Sequence, residues 1–82
     1  MTCLIECNGM TNAQQIKKLL DRSLIKASTC RLPGELTERG CSYAVKVNPD
    51  QLMQALGIIR ERGFSYRRVF RIEGKTCEEV II

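Results

Sequence analysis

The chain opens on a short, largely apolar run, in which Cys3 and Cys7 bracket Leu4 and Ile5, and the apolar positions that follow have helical spacing. Thr2 to Asn8 therefore predicts a strand. The residues expected on its buried face are Cys3, Ile5 and Cys7. Apolar positions three and four apart follow, which predicts an amphipathic helix capped by Thr11 or Asn12 and ending near Ser23.

The middle of the chain predicts two strands joined by a turn-rich connection. Leu24 to Cys30 is the weaker of them, because polar residues interrupt its apolar pattern. Proline and glycine mark the connection, in which Glu35 to Arg39 is expected to form one helical turn. Cys41 to Val47 then predicts a strand that places Tyr43, Val45 and Val47 on one face.

A second helix and a final strand follow. Asn48 is expected to cap the helix, since proline and an acidic residue come directly after it. Gly63 is expected to close the helix. The residues assigned to its core face are Leu52, Met53, Leu56 and Ile59. Tyr66 to Ile72 predicts the fourth strand, and Thr76 to Ile82 either a short fifth strand or a tail.

The resulting order, βαββαβ, predicts an α+β fold of the ferredoxin-like, split βαβ type. Two helices would cover one face of a four-stranded antiparallel sheet. The whole chain, 1–82, is interpreted as one domain, with a core over 1–72. Residues 73–82 would form a C-terminal hairpin arm or tail.

Chain length and apolar content set limits on the class of protein. Eighty-two residues with 44% apolar positions suffice for one small core, and a core this small favours a homodimer. No apolar run approaches the roughly 20 residues of a membrane span, and no signal-peptide pattern opens the chain. We therefore expect a cytoplasmic protein without a membrane partner.

Five cysteines and no histidine limit the chemistry. There is no CxxC pair, and structural zinc sites need four clustered Cys or His ligands, so neither a metal nor another cofactor is expected. An odd cysteine count without an export signal argues against a disulfide framework. Most of the thiols are interpreted as small core residues.

The positive charge is concentrated near the C-terminal end of the chain. Residues 60–71 hold five arginines and one glutamate, a surplus equal to the net charge of +4 of the whole chain. A local patch favours an acidic or phosphate-bearing partner over general nucleic-acid coating. Arg62, Arg67 and Arg68 are the candidate docking residues.

Cys41 is the candidate reactive residue, because it stands where the turn-rich connection meets a strand. In the ferredoxin-like plan the third strand begins where the first ends, so Cys41 would face the loop at Asn8 and the start of the first helix. A helix N-terminus carries about half a positive charge and lowers a thiol pKa. The alternative is that Cys41 fills the end of the core beside Leu36 and Tyr43.

Several segments together resemble the Se/S carrier protein-like family. They are the first strand, the first helix, Leu32-Pro33-Gly34-Glu35-Leu36, Gly40-Cys41 and Arg68-Val69-Phe70-Arg71-Ile72. The resemblance extends to about Ile72 and implies sulfur or selenium handling, with Cys41 as the residue to carry over. The Cys-Pro-x-Pro arrangement of better-defined sulfur-transfer carriers is absent.

Two functions remain open from the sequence. In the first, the Cys41 thiolate accepts a persulfide-type group and passes it between donor and acceptor proteins, as a carrier rather than a stand-alone enzyme. In the second, the protein is a noncatalytic binding or regulatory module that docks a protein, nucleotide or RNA through its arginine-rich edge. With four aromatic residues and no RRM-type motif, the chain argues against RNA and other nucleic acid.

Overall fold

A computed structural model describes residues 2–32 and 42–80, which form two α-helices and an antiparallel sheet. The strands are β1 (Thr2–Cys7), β2 (Ala27–Leu32), β3 (Ser42–Val47), β4 (Val69–Glu73) and β5 (Thr76–Val80). The helices are α1 (Met10–Arg22) and α2 (Leu52–Glu61), and a 3-10 turn, Pro49–Gln51, precedes α2. The strand order across the sheet is β2-β3-β1-β4-β5.

Both described helices pack on the same face of the sheet. The alternation of β1 directs Cys3, Ile5 and Cys7 to that face, where each is at most 1% exposed. They pack against side chains of α1 and α2 that are spaced along one side of each helix. The helix residues in this core are Ala13, Ile16, Leu20, Leu52, Ala55, Leu56 and Ile59. The predicted inward face of β1 is therefore confirmed.

The opposite face of the sheet is also apolar, although no described helix contributes to it. Leu4, Leu32, Ala44 and Phe70 form its buried cluster. The half-buried side chains that pack against them are Cys30, Ile72 and Cys77. The sheet therefore separates two apolar layers, with helices contributing to only one of them within the described residues.

The α+β class is confirmed, but the sheet formed by the described residues has five strands where four were predicted. Thr76–Val80 pairs along β4, from Glu73↔Thr76 to Val69↔Val80. Gly74 supplies the positive φ of 60° in the turn between these strands. Of the two predicted outcomes for this segment, the strand is the one observed.

Three elements have bounds that differ from the prediction, among them the fourth strand, predicted over Tyr66 to Ile72 and observed over Val69–Glu73. The second strand was predicted over Leu24 to Cys30 but runs over Ala27–Leu32. Leu24 lies in the preceding turn with a φ of 63°, and its neighbour Ile25 enters the core at 1% exposure. This apolar pair therefore belongs to the helix-to-strand connection, and its apolar character placed the predicted start of the second strand too early.

The first helix also begins earlier than predicted. Its N-cap is Gly9 rather than Thr11 or Asn12. The Asn12 side chain instead accepts a hydrogen bond from the backbone N–H of Asn8 at 3.0 Å, from inside the first turn. The Asn12 side chain therefore fastens the β1–α1 loop to the first turn of the helix.

The predicted end of the second helix is confirmed, whereas the predicted cap, Asn48, opens the 3-10 turn that precedes α2, and Gln51 is the N-cap of α2 itself. The Asn48 side chain accepts a hydrogen bond from the backbone N–H of Asp50 at 3.4 Å. Gly63 has a φ of 78°, the left-handed conformation that ends many helices. Met53 was assigned to the core, and that assignment is wrong, because its side chain is 64% exposed. Neither α1 nor α2 is long and apolar enough to cross a bilayer.

Candidate functional site

The predicted site belongs to one end of the sheet, which we call the Ser42 end. Here β1 and β2 end, and β3 and β4 begin. The register pairs Cys7 with Tyr43 and Leu32 with Ser42. The third strand therefore does begin beside the end of the first, as the topological argument for the site required.

Cys41 itself lies outside the described residues, as does the helical turn predicted at Glu35 to Arg39. The residue that follows Cys41 in the chain, Ser42, is the first residue of β3. The chemistry assigned to Cys41 therefore remains a prediction, and the Ser42 end is described below through residues of the ranges 2–32 and 42–80.

A carboxylate buried in the sheet is the most unusual feature of this end. Glu6 is the penultimate residue of β1 and is 1% exposed. Arg68 donates to both carboxylate oxygens, from Nε to Oε1 at 2.8 Å and from an Nη to Oε2 at 3.4 Å. The guanidinium also lies over the Phe70 ring, 5.2 Å from its centroid. This two-point contact compensates the desolvation of the Glu6 charge and fixes the Arg68 side chain.

The backbone beside this ion pair is irregular. The N–H of Glu6 donates to the carbonyl of Arg68 at 2.7 Å, while the carbonyl of Glu6 accepts from the N–H of Arg67 at 2.8 Å. Two residues of the strand leading into β4 thus oppose a single residue of β1, which is the pattern of a β-bulge. The bulge lets Arg68 reach Glu6 while Arg67 remains exposed.

The arginine-rich stretch divides into arginines held by intramolecular contacts and arginines that are not. Arg60 donates to the hydroxyl of Tyr66 at 2.8 Å, and Arg71 pairs with Glu78 across β4 and β5 at 3.0 Å. Arg68, a predicted docking residue, is held by Glu6 and is 37% exposed. The two predicted docking residues that are exposed and make no ion pair with another described residue are Arg62 and Arg67.

Two connections at the Ser42 end are tied together. The Asn8 side chain donates to the hydroxyl of Ser65 at 2.9 Å, joining the β1–α1 loop to the segment between α2 and β4. The first helix begins at this loop, and its first turn, residues 10–13, contains no acidic side chain. No carboxylate in the first turn of α1 therefore neutralises the positive end of the helix dipole.

Burial weakens the acidity of the four cysteines within the described residues. It raises the pKa of Cys7 to about 12, and the Cys7 thiol donates to the carbonyl of Ile5 at 3.3 Å. Burial also raises the pKa of Cys3, partly opposed by Arg71. The same cause raises the pKa of Cys30 and of Cys77. None of these thiols is paired in a disulfide, and all four favour the protonated, unreactive form.

Metal-ligating residues are dispersed in the described ranges 2–32 and 42–80. No three Cys, Asp or Glu side chains there come together in a way that would hold a metal ion. The carboxylate at the Ser42 end, Glu6, is engaged by Arg68.

Comparison with known proteins gives one match. A family model described as "Putative Se/S carrier protein-like" matches residues 2–71, which is most of the chain and includes the segment that carries Cys41. The chain belongs to this family. No curated protein and no solved structure matches the chain.

Two features of this Se/S carrier-like protein were missed by sequence reasoning. Glu6 and Arg68 are 62 positions apart, and only the strand register brings them together. A signal was present in β1, where a single acidic residue occupies an otherwise apolar strand. The second feature is a group of cations on α1, Lys18 and Arg22, which lie near Arg62 around one cleft.

Proposed function

We propose that the protein is a sulfur or selenium carrier in which the Cys41 thiolate accepts a persulfide-type group and passes it to a partner protein. The observation that carries this proposal is the family match over residues 2–71, because it spans the cysteine-bearing segment. The chain has no histidine to act as a general base, so the thiolate must be favoured by its surroundings.

The proposed transfer consists of two displacements at sulfur. The Cys41 thiolate attacks the terminal sulfur of a donor persulfide, the donor S–S bond breaks, and the donor sulfur leaves as a thiolate with the electron pair. An acceptor nucleophile then attacks the terminal sulfur now bonded to Cys41, and the Cys41 thiolate is released. The two steps need no external oxidant or reductant, and a selenium atom in the terminal position would follow the same course.

The thiol chemistry of the remaining cysteines supports the choice of Cys41. Burial raises the pKa of Cys3, Cys7, Cys30 and Cys77, so each is a poor nucleophile near neutral pH. A carrier needs one reactive thiol among inert ones, since a second reactive thiol nearby would resolve the persulfide into a disulfide.

The charges at the Ser42 end support partner docking there. Arg67 is exposed, and Arg68 keeps 37% of its side chain exposed while bonded to Glu6. We propose that these two residues contact acidic side chains of the donor or acceptor protein, because charge complementarity speeds encounter and orients partners. Arg62, the third predicted docking residue, lines a cleft that neither Arg67 nor Arg68 lines.

We also infer that β1 to β4 and the two helices follow the ferredoxin-like plan, with β5 added beside β4. The order β2-β3-β1-β4 and the helices on one face support this reading. We further propose a reducing, cytoplasmic compartment and a homodimer, since a carrier thiol must stay reduced and a chain of 82 residues forms only a small core.

Limiting alkylation of the native protein tests the reactive-thiol claim. With less iodoacetamide than protein, the label should appear on Cys41 before the other four cysteines when peptides are mapped by mass spectrometry. A Cys30→Ser variant is the matched control and should keep the same labelling of Cys41. Equal labelling of all five thiols, or protection of Cys41, would contradict the proposal and favour the noncatalytic binding module.

A further inference from the structure

A cleft of about 460 Å³ lies between α1 and the segment that follows α2. Three cationic side chains line it, Lys18 and Arg22 from α1 and Arg62 from the end of α2. Two half-buried apolar side chains, Leu19 and Phe64, line it as well. None of the described residues that line this cationic cleft is acidic.

The charges in the cationic cleft are not neutralised within the described residues. Lys17, on the same helix, forms an ion pair with Asp21 at 2.7 Å. Lys18 and Arg22 are also four positions apart, but both are cationic, a spacing at which like charges repel. Neither they nor Arg62 forms an ion pair with a residue of the described ranges. On α1, the charge of Lys17 is therefore compensated within the helix, whereas the charges of Lys18 and Arg22 are not.

The helix dipoles offset only part of this charge. Arg22 lies in the last turn of α1, and Arg62 is the C-cap residue of α2. Each helix C-terminus contributes about half a negative charge, so two of them offset roughly one of the three positive charges. A surplus of about two positive charges remains, which favours an anion that carries two negative charges.

A phosphomonoester fits both the charge and the size of the cationic cleft. It carries about −1.5 to −2 charges at neutral pH, and guanidinium groups bind its oxygens with two-point geometry. Leu19 and Phe64 add apolar contact area that inorganic phosphate would leave unused. The volume is within the roughly 300–1,000 Å³ of small-ligand pockets. We propose that the cationic cleft binds the phosphomonoester group of a small organic molecule, independently of the chemistry proposed for Cys41.

Titration with phenyl phosphate, followed by amide chemical shifts of the ¹⁵N-labelled protein, tests this proposal. Shifts are expected around the residues that line the cleft at millimolar ligand. Phenyl phosphate should bind more tightly than inorganic phosphate, because only the former contacts Phe64. Benzenesulfonate, with one negative charge, should bind more weakly than phenyl phosphate.

Charge-removing variants supply the controls. Lys18→Gln, Arg22→Gln and Arg62→Gln should each weaken phenyl phosphate binding by roughly two- to fivefold, the value of one exposed charge pair. Lys75→Gln, in the β4–β5 turn, removes one charge away from the cleft and should leave binding unchanged. A Cys41→Ser protein should also bind normally, which separates this proposal from the carrier function. No binding at millimolar ligand, or equal weakening by Lys75→Gln, would overturn it.

Discussion

Replacing Arg68 by methionine removes its guanidinium but keeps most of its apolar stem, so the Glu6 carboxylate loses two charge-assisted hydrogen bonds. Removing one partner of a fully buried ion pair costs about 3–5 kcal/mol. Here Glu6 is 1% exposed but Arg68 is 37% exposed. Screening by water at Arg68 reduces the expected loss to about 2 kcal/mol.

Thermal and urea unfolding of Arg68→Met should therefore show a large loss of stability. For a domain of this size, a loss of 2 kcal/mol corresponds to a fall in Tm of roughly 8–16 °C. The matched control is Arg71→Met, which breaks the exposed pair with Glu78 and should cost less than about 1 kcal/mol. A double-mutant cycle with Glu6→Gln should give a coupling of about 1–2 kcal/mol. If Arg68→Met costs no more than Arg71→Met, the buried ion pair does not stabilise the Ser42 end.

Three further predictions concern thiol burial and backbone conformation. Because burial raises the pKa of Cys7 from 9.0 to about 12, its contribution to stability is complete below pH 9 and is lost as the pH rises towards 12. Between about pH 8 and about pH 10 the native protein should lose about 1 kcal/mol more than Cys7→Ala in urea titrations, and equal losses would contradict this expectation. Gly57→Ala should stabilise the protein by about 0.5–1 kcal/mol, because Gly57 lies on an exposed part of α2 with nothing within 4 Å of the added methyl group. Gly63→Ala should destabilise it by about 1 kcal/mol, because Gly63 has a φ of 78°. Urea midpoints that move in the same direction for the two would refute this reasoning. Leu24→Gly should raise the stability of the protein by about 1 kcal/mol, since Leu24 is 91% exposed and has a φ of 63°. A lower urea midpoint would show that the left-handed backbone at Leu24 is not strained.

The side-chain alternation of the strands was predictable, because a period of two reports which side chains share one face of the sheet. The alternation in β1 and in β3 placed Cys3, Ile5, Val45 and Val47 on the helix-covered face, where they are buried. Capping chemistry was equally informative at Asn48, since its side chain bonds the backbone only two residues away. Local rules therefore identified the elements whose stabilising contacts are local or periodic.

The errors come from contacts that join distant parts of the chain. Leu24 and Ile25 are both apolar, yet one is 91% exposed and the other 1% exposed, because a left-handed turn separates them. Met53 is apolar but lies off the inward stripe of α2, so helical spacing alone overestimated that stripe. The Glu6 carboxylate gains its partner only through the register of β1 with the chain entering β4.

For the candidate site, the sequence predicted which strands meet, and the structure confirms that β3 begins beside the end of β1. The role of Cys41 remains a prediction, because that residue lies outside the described ranges. The arginine patch was predicted as one surface, but intramolecular contacts engage Arg60, Arg68 and Arg71. Charge counts along a sequence do not reveal such contacts, which depend on the folded geometry.

Transfer of one sulfur atom to Cys41 is the measurement that tests the carrier proposal most directly. The reduced protein is incubated with one equivalent of glutathione persulfide and alkylated, and its peptides are mapped by mass spectrometry. The account predicts that the added sulfur is found on Cys41, that a thiol acceptor removes it again, and that Cys41→Ser takes up none while Cys30→Ser behaves as the native protein. Sulfur spread over several cysteines, or undiminished uptake by Cys41→Ser, would contradict the proposal that this protein carries sulfur on Cys41.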